Sequence, residues 1–282
     1  MKKMPEILIV TPTLNQGKYI EQTINSVISQ NYENKRYVVL DGGSTDGSVD
    51  IIKRYASNLT YWDIKEGETQ SQAIARGFNV ASGEILGWLN SDDMLLPYAM
   101  ETVGSFFASN PSAAVLVGAS IVIDADGKPV RNKKGEIVFN PGINQSFLDL
   151  LYNGCWGFNQ PAVFWRRTIY EKAGGIDQSF NFSMDYDLFL RMAKIKRFSR
   201  TRRFLACFRI HGQAKTATLQ STREKEDTII RKKHSSLVEL PYWLKVYLAF
   251  SNYRKRLLFW YMRFCLRKGI INMPVEFDMV IK

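Results

Sequence analysis

Two adjacent carboxylates, Asp92 and Asp93, follow an apolar run at residues 85–89. Like charges held side by side repel unless a cation or a donor-rich ligand lies between them, and Mg or Mn takes oxygen ligands of this type. Neighbouring side chains of an extended backbone point apart, so one of the pair is expected to ligate metal and the other to face the ligand. An Asx-turn that ends a strand is the competing reading. A second acidic pair, Asp185 and Asp187, opens a helix-like segment behind Ser183, a plausible N-cap. Acidic residues favour a first turn because of the helix dipole alone, yet the same dipole keeps a carboxylate ionised and able to take a proton from an alcohol.

Asp41 begins Asp41-Gly42-Gly43-Ser44-Thr45-Asp46-Gly47, just past an apolar strand at residues 37–40. A carboxylate there can accept hydrogen bonds from a nucleobase or ribose, or serve only as a turn residue. Arg209-Ile210-His211-Gly212-Gln213-Ala214-Lys215-Thr216 ends another strand and carries one of two histidines. Carboxylate with imidazole is an acceptable Mn site and a lysine on a Gly-containing loop can neutralise a phosphate; a structural histidine is the alternative.

Such groups need strand ends to hold them. Over the first hundred residues, strands at 7–10, 37–40, 59–64 and 85–89 alternate with helical periodicity at 18–30, 48–55 and 70–81, the pattern of βαβ units and a mostly parallel sheet. In such a sheet the ligand crevice lies outside the carboxyl ends of the strands, where these polar clusters fall. Further strands are expected at 114–123, 161–165 and 204–210, a helix at 185–196, and wholly helical segments from 224 onward. The loop at 128–146 is long enough to suggest a functional role.

The 282 residues are 45% hydrophobic and suffice for a substantial core. Three dispersed cysteines, Cys155, Cys207 and Cys265, offer neither a disulfide framework nor a CxxC knuckle and suit a reducing compartment. The apolar run at 7–10 is too short for a signal-peptide core, and no stretch of eighteen uncharged apolar residues occurs. No GxGxxG follows the first strand, and Walker A, GxSxG and HExxH sequences are absent, which disfavours dehydrogenase, P-loop, serine hydrolase and zincin chemistry. The net charge is +11, but residues 1–190 hold 16 basic and 21 acidic groups while residues 191–282 hold 22 and 6.

Thr11-Pro12-Thr13-Leu14-Asn15, the Asp41 to Gly47 turn, Gly83-Glu84-Ile85-Leu86-Gly87-Trp88-Leu89-Asn90-Ser91-Asp92-Asp93 and Met184-Asp185-Tyr186-Asp187-Leu188 occur in the order seen in family-two glycosyltransferases of the GT-A fold, and over residues 6–216 the chain resembles bacterial members that build cell-surface polysaccharide. The resemblance implies an α/β GT-A fold, with a mostly parallel Rossmann-like sheet flanked by helices and a basic helical C-terminal extension. It implies a nucleotide-sugar-binding half at 1–110, an acceptor-binding and catalytic-base half at 111–216, and a tail at 217–282. It also implies inverting transfer from a nucleotide-diphosphate sugar, a UDP-sugar foremost, with a divalent metal, Mn or Mg, on the diphosphate. By residue, Thr11, Asp41, Arg76 and Asp92 are expected at the nucleotide, Asp92, Asp93 and His211 at the metal, Lys215 at the diphosphate, Asp185 as catalytic base, and Trp156, Gln160 and Asp187 on the acceptor side. Asn90 stands where many relatives have Asp, and Gln72 and Arg76 where relatives often have Asp and Lys.

One base acting once inverts the anomeric carbon; retention by double displacement needs a second carboxylate close by, and Asp187, two residues from Asp185 on a helix, faces away from it. Residues 240–275 lack acidic groups and interleave Lys and Arg with Trp, Tyr and Phe. That pattern suits an interfacial helix on an anionic membrane, matching a lipid-linked acceptor and a cytoplasmic site on the inner face of the cell membrane; packing on the catalytic body, a homo-oligomer interface and nucleic-acid binding compete, the last least favoured. The functional rival is a catalytically idle GT-A-like scaffold that recruits a biosynthetic complex to the membrane, a reading kept open by Asn90.

Overall fold

The structure, a computed structural model, describes residues 3–235 together with Leu257 and Tyr261. In chain order the elements are β1 (Ile7–Thr13), α1 (Ile20–Ile28), β2 (Lys35–Asp41), α2 (Ser48–Arg54), β3 (Tyr61–Ile64), α3 (Gln70–Val80), β4 (Ile85–Trp88), β5 (Met94–Leu95), α4 (Ala99–Ser109), β6 (Val115–Ile123), β7 (Phe139–Asn140), α5 (Phe147–Asn153), β8 (Val163–Arg166), α6 (Arg167–Lys172), α7 (Met184–Ile195), β9 (Ser199–Arg209), α8 (Lys215–Thr218) and α9 (Gln220–Ser235).

β1 is buried at every position because the sheet is covered on both faces. Its alternate residues divide between two cores: Ile7 and Ile9 pack with Ile20, Ile24 and Val27 of α1, while Leu8 and Val10 pack with Ile74 and Phe78 of α3. Gly77 permits the α3 contact, since a Cβ there would lie 2.4 Å from Val10 Cγ1.

The strands run β3-β2-β1-β4-β8-β6-β9-β5, with β7 beside β6. From β3 to β4 all pairings are parallel, as the βαβ rhythm predicts. Beyond β4 the sheet is mixed: β8 runs antiparallel to both β4 and β6, and β6 pairs parallel with β9. Here the chain no longer alternates strand and crossover helix, so strand direction is not constrained to repeat. Helices α4, α5 and α6 and the two-residue strand β5 were not marked by the sequence reading. β5 has the largest effect on the site. It carries the chain directly after Asp93 to the far edge of the sheet, pairing Met94 with Cys207 and Leu95 with Ala206, and so brings the β4 turn against the end of β9.

The stretch at 128–146 is not a free loop. It folds back on β6 through the bridge Ile123 to Pro129 and through β7, with Ser120 opposite Asn140, and on itself through the bridge Arg131 to Ile137. Within the expected tail, α9 packs on the body, and its buried Ile230 belongs to the core that contains α7. The basic aromatic segment at 240–275 lies outside the described residues, apart from Leu257 and Tyr261. Among the described residues no helix is long and apolar enough to cross a membrane.

Candidate active site

The carboxyl ends of the strands open onto a cavity of about 530 Å³, lined in part by Thr13, Gln16, Gly42, Asp92, Gln160, Asp185 and Lys215. The turn after β4 closes with the Asp93 N–H donating to the Asn90 carbonyl, and the Thr23 hydroxyl of α1 reaches the Ser91 and Asp93 carbonyls. The two carboxylates of this turn diverge, as neighbours should. Asp93 is 1% exposed, and its Oδ1 accepts the Arg209 backbone N–H at 2.9 Å. Burial, then the charge of Asp92, hold its pKa well above the usual carboxylate range. Asp92 faces the cavity; its Oδ2 lies 3.1 Å from His211 Nε2, and Oδ1 has no protein hydrogen bond among the described residues.

The expected trio of Asp92, Asp93 and His211 therefore does not form a cage. Among the described residues no group of three or more His, Cys, Asp or Glu side chains is arranged to hold a metal. His211 stands behind Asp92, its ring tilted 44° against that of Tyr19 at 4.6 Å, and Asp93 is committed to Arg209. Asp92 still fits a hard divalent ion, because one oxygen is free and Mg commonly takes one or two protein carboxylates with phosphate and water completing the shell.

Asp185 lies on the cavity wall at the start of α7. Burial pushes its pKa up to about 6; the charge of Asp227 adds to the rise, while the Tyr186 N–H, donated to Oδ1 at 2.7 Å, and Arg223 oppose it. Lys215 begins α8, with Nζ 3.1 Å from the Asn181 carbonyl and 3.3 Å from Asn181 Oδ1. Burial lowers its pKa, partly offset by Glu226. Gln160 donates from Nε2 to the Trp88 carbonyl at 2.9 Å, and its buried Oε1 has no hydrogen-bond partner among the described residues.

Five other expected residues are kept off the cavity wall. Thr11 is fully buried, its hydroxyl 3.1 Å from that of Tyr37, one strand repeat below the position that reaches the opening. That position is Thr13, whose Oγ1, like Oε1 of Gln16, is buried and has no partner among the described residues. Both residues were missed, although Thr13 stands in the same strand-end motif as Thr11. Asp41 is buried within its own turn: Oδ1 accepts the Gly43 and Ser44 N–H groups and Oδ2 the Ser44 hydroxyl, leaving Gly42 on the wall. Arg76 is held by Glu68 at 2.6 and 2.7 Å and by Asp63 at 2.9 Å. Asp187 lies on the opposite side of α7 from Asp185, fully buried, accepting from Arg191 Nε at 2.8 Å and 3.3 Å from His234 Nε2. Trp156 is half-buried beside β7, its carbonyl accepting from Asn140 at 3.2 Å. Asn90 receives Gln70 Nε2 on Oδ1 at 2.8 Å, so its amide is tied into the turn.

The profile of glycosyl transferase family 2 matches residues 8–174, more than half of the chain. An uncharacterized glycosyltransferase of Rickettsia typhi is 23% identical over 229 residues, covering 80% of this chain and 70% of the relative. Chondroitin synthase of Escherichia coli is 23% identical over 218 residues, covering 76% of this chain but 30% of the synthase. Among solved structures, S. aureus TarS 1–349 in complex with UDP-GlcNAc superposes with a TM-score of 0.60 at 16% identity, covering 73% of this chain and 59% of TarS. The mannosyltransferase PcManGT of Pyrobaculum calidifontis, in complex with GDP-Man and Mn2+, superposes with a TM-score of 0.61 at 15% identity over 99% of this chain and 79% of its own. These likenesses give the same fold, a GT-A-like α/β architecture.

Proposed function

The chain belongs to glycosyl transferase family 2, and from that premise we propose that it is an inverting transferase. It moves a sugar from a nucleotide-diphosphate donor, a UDP-sugar foremost, to a hydroxyl of a saccharide or lipid-linked acceptor in surface-polysaccharide synthesis. The observation that carries this reading is that Asp92, Asp185 and Lys215 line one and the same cavity. UDP-GlcNAc in TarS, GDP-Man with Mn2+ in the mannosyltransferase, and the polysaccharide named for chondroitin synthase support the classes of donor and acceptor.

In this reading Thr13, Gln16 and the Gly42 backbone bind the nucleoside, with Asp41 shaping the turn that presents Gly42. Asp92 would hold a divalent ion, Mn or Mg, its carboxylate oriented from behind by His211, and Lys215 neutralises diphosphate charge. Such an ion, when bound, offsets the charge that develops on the leaving group. Asp185 removes the proton of the acceptor hydroxyl, a task for which a pKa near 6 leaves it ionised at neutral pH and still basic. Gln160 offers its free Oε1 to the acceptor side. The burial of Asp187 and its ties to Arg191 and His234 support a single displacement, and with it inversion. The basic segment at 240–275 then serves peripheral attachment to the inner membrane face.

The test is a panel of nucleotide sugars with Mg or Mn, with anomeric configuration read by NMR. Turnover that gives inverted product, and that is lost in Asp185→Asn while UDP still binds, is the expected result. Retained configuration refutes the mechanism, and unchanged turnover in Asp185→Asn refutes the base. A chain that binds UDP yet turns over no donor supports the idle scaffold that Asn90 favours.

A further inference from the structure

The carboxylate of Glu226, on α9, is 9% exposed and takes three consecutive backbone N–H groups. Oε1 accepts from Asn181 at 2.8 Å, and Oε2 from Phe182 at 2.9 Å and Ser183 at 2.7 Å. These residues lead directly into α7, whose second residue is Asp185. A helix start leaves backbone N–H groups without intrahelical partners, and a serine at the N-cap ordinarily supplies its own hydroxyl to one of them. Ser183 makes no such bond; its hydroxyl donates to Asp227 Oδ1 at 2.7 Å. The segment that leads into α7, up to the N–H of its N-cap Ser183, is thus held by a second helix more than forty residues downstream. On the other side, Lys215 binds the carbonyl and side chain of Asn181, so segment 181–183 is held between α8 and α9.

We propose that Glu226 is a positioning residue for Asp185: by gripping the N–H groups of residues 181–183 it fixes the direction in which α7 presents Asp185 to the cavity. The inference rests on the reading of Asp185 as the base. Two carboxylate oxygens accepting three charge-assisted hydrogen bonds define both the place and the tilt of that segment. A glutamine has the same length but a single acceptor oxygen, and its NH2 group would face backbone donors. A shift of about 1 Å at a reacting group is enough to cost on the order of a hundredfold in rate.

The test compares the full chain with Glu226→Gln, and with Glu226→Asp, which keeps both carboxylate oxygens on a shorter stem. It measures kcat and donor KM on the donor panel, UDP affinity, and amide hydrogen exchange at residues 181–187. The expected result for Glu226→Gln is a kcat at least about tenfold lower with UDP affinity within about twofold of wild type, together with faster exchange confined to that segment. Glu226→Asp is expected to show the same pattern more weakly, because a carboxylate one carbon shorter cannot reach all three N–H groups, and it decides the matter if Glu226→Gln does not fold. Wild-type turnover matched by the variant refutes the positioning role alone, as does a fall in kcat with unchanged exchange or one in proportion to lost UDP-binding sites. A wild-type chain that turns over no donor refutes the functional reading and the positioning role with it, whatever the amides show.

Discussion

His211 Nε2 lies 3.1 Å from Oδ2 of Asp92, 119 residues away in the chain. The pairing of β5 with β9 creates this contact by drawing the β4 turn against the end of β9, and the Tyr19 ring holds the imidazole from behind. With Oδ2 occupied, Asp92 is left with Oδ1 for a divalent ion. Groups that orient a metal ligand typically contribute 10- to 100-fold in metal affinity. His211→Ala is therefore expected to raise the Mn2+ concentration for half-maximal turnover by about that factor, with UDP binding in the absence of metal unaffected. A Mn2+ titration of turnover checks this, and EDTA is expected to abolish activity in both proteins.

The pH dependence follows from Asp185. Burial favours its neutral form and pushes its pKa up to about 6. Below that value it carries a proton and cannot accept another, so kcat/KM should fall about tenfold per pH unit on the acid side and level off above. The groups that face it are Asp227, which raises its pKa, Arg223, which lowers it, and the thiol of Cys155. Asp227→Asn removes a like charge, so the acid limb should move to lower pH, whereas Arg223→Gln should move it to higher pH. Stability follows the same sign. A carboxyl whose folded pKa exceeds its unfolded one costs stability once pH rises above the unfolded value, here on the order of 2–3 kcal/mol by neutral pH. Asp185→Asn should therefore raise the melting temperature at pH 7 while losing turnover.

The parallel half of the sheet was legible because β1, β2 and β4 are short apolar runs bounded by turn residues, and burial on both faces leaves no other use for them. The order of the mixed half was not, since a two-residue strand such as β5 has no periodicity to detect. Asp92, Asp185, Gln160 and Lys215 were legible as wall residues because each stands at or near the end of a strand or the start of a helix. Thr11 and Arg76 lie off the cavity wall for a common reason: residue type and proximity to a motif do not say which way a side chain points. Thr13, two residues along the same strand face, reaches the cavity that Thr11 does not. Glu226 had no sequence signal at all, since its partners are backbone N–H groups that any residue could provide.

Arg76 illustrates the cost of that ambiguity. Its guanidinium is shared between Glu68, whose side chain is 2% exposed, and Asp63. Removing one partner of a largely buried pair leaves the other charge uncompensated. Arg76→Met is expected to destabilise the fold by roughly 2–3 kcal/mol in denaturant unfolding, less than for a wholly buried pair because Arg76 is itself partly exposed. UDP affinity of the folded protein should change by less than about threefold. Lost affinity with unchanged stability would return Arg76 to the nucleotide site.

Asp92 and Asp93 should separate most sharply of all. Asp93 is enclosed, and its ionisation is opposed by burial and by Asp92; its structural duty is to accept the Arg209 backbone N–H, which an asparagine oxygen can also do. Arg209 meanwhile ties the turn in place through other atoms: Nε donates to the Asp92 carbonyl at 2.6 Å, Nη1 to the Asp124 carbonyl at 3.2 Å and Nη2 to Gln22 Oε1 at 2.7 Å. Asp93→Asn thus keeps the frame around Asp92 and removes a charge that the fold resists, so turnover should stay within about tenfold of wild type with little change in melting temperature. Asp92→Asn leaves the frame equally intact but removes the charge that faces the cavity, and turnover should fall by at least about a hundredfold, with the Mn2+ response lost. Steady-state kinetics on both variants at saturating Mn2+ check this directly: equal losses would mean that the metal reads the pair as a unit, and a larger loss in Asp93→Asn would reverse the roles assigned to the two carboxylates.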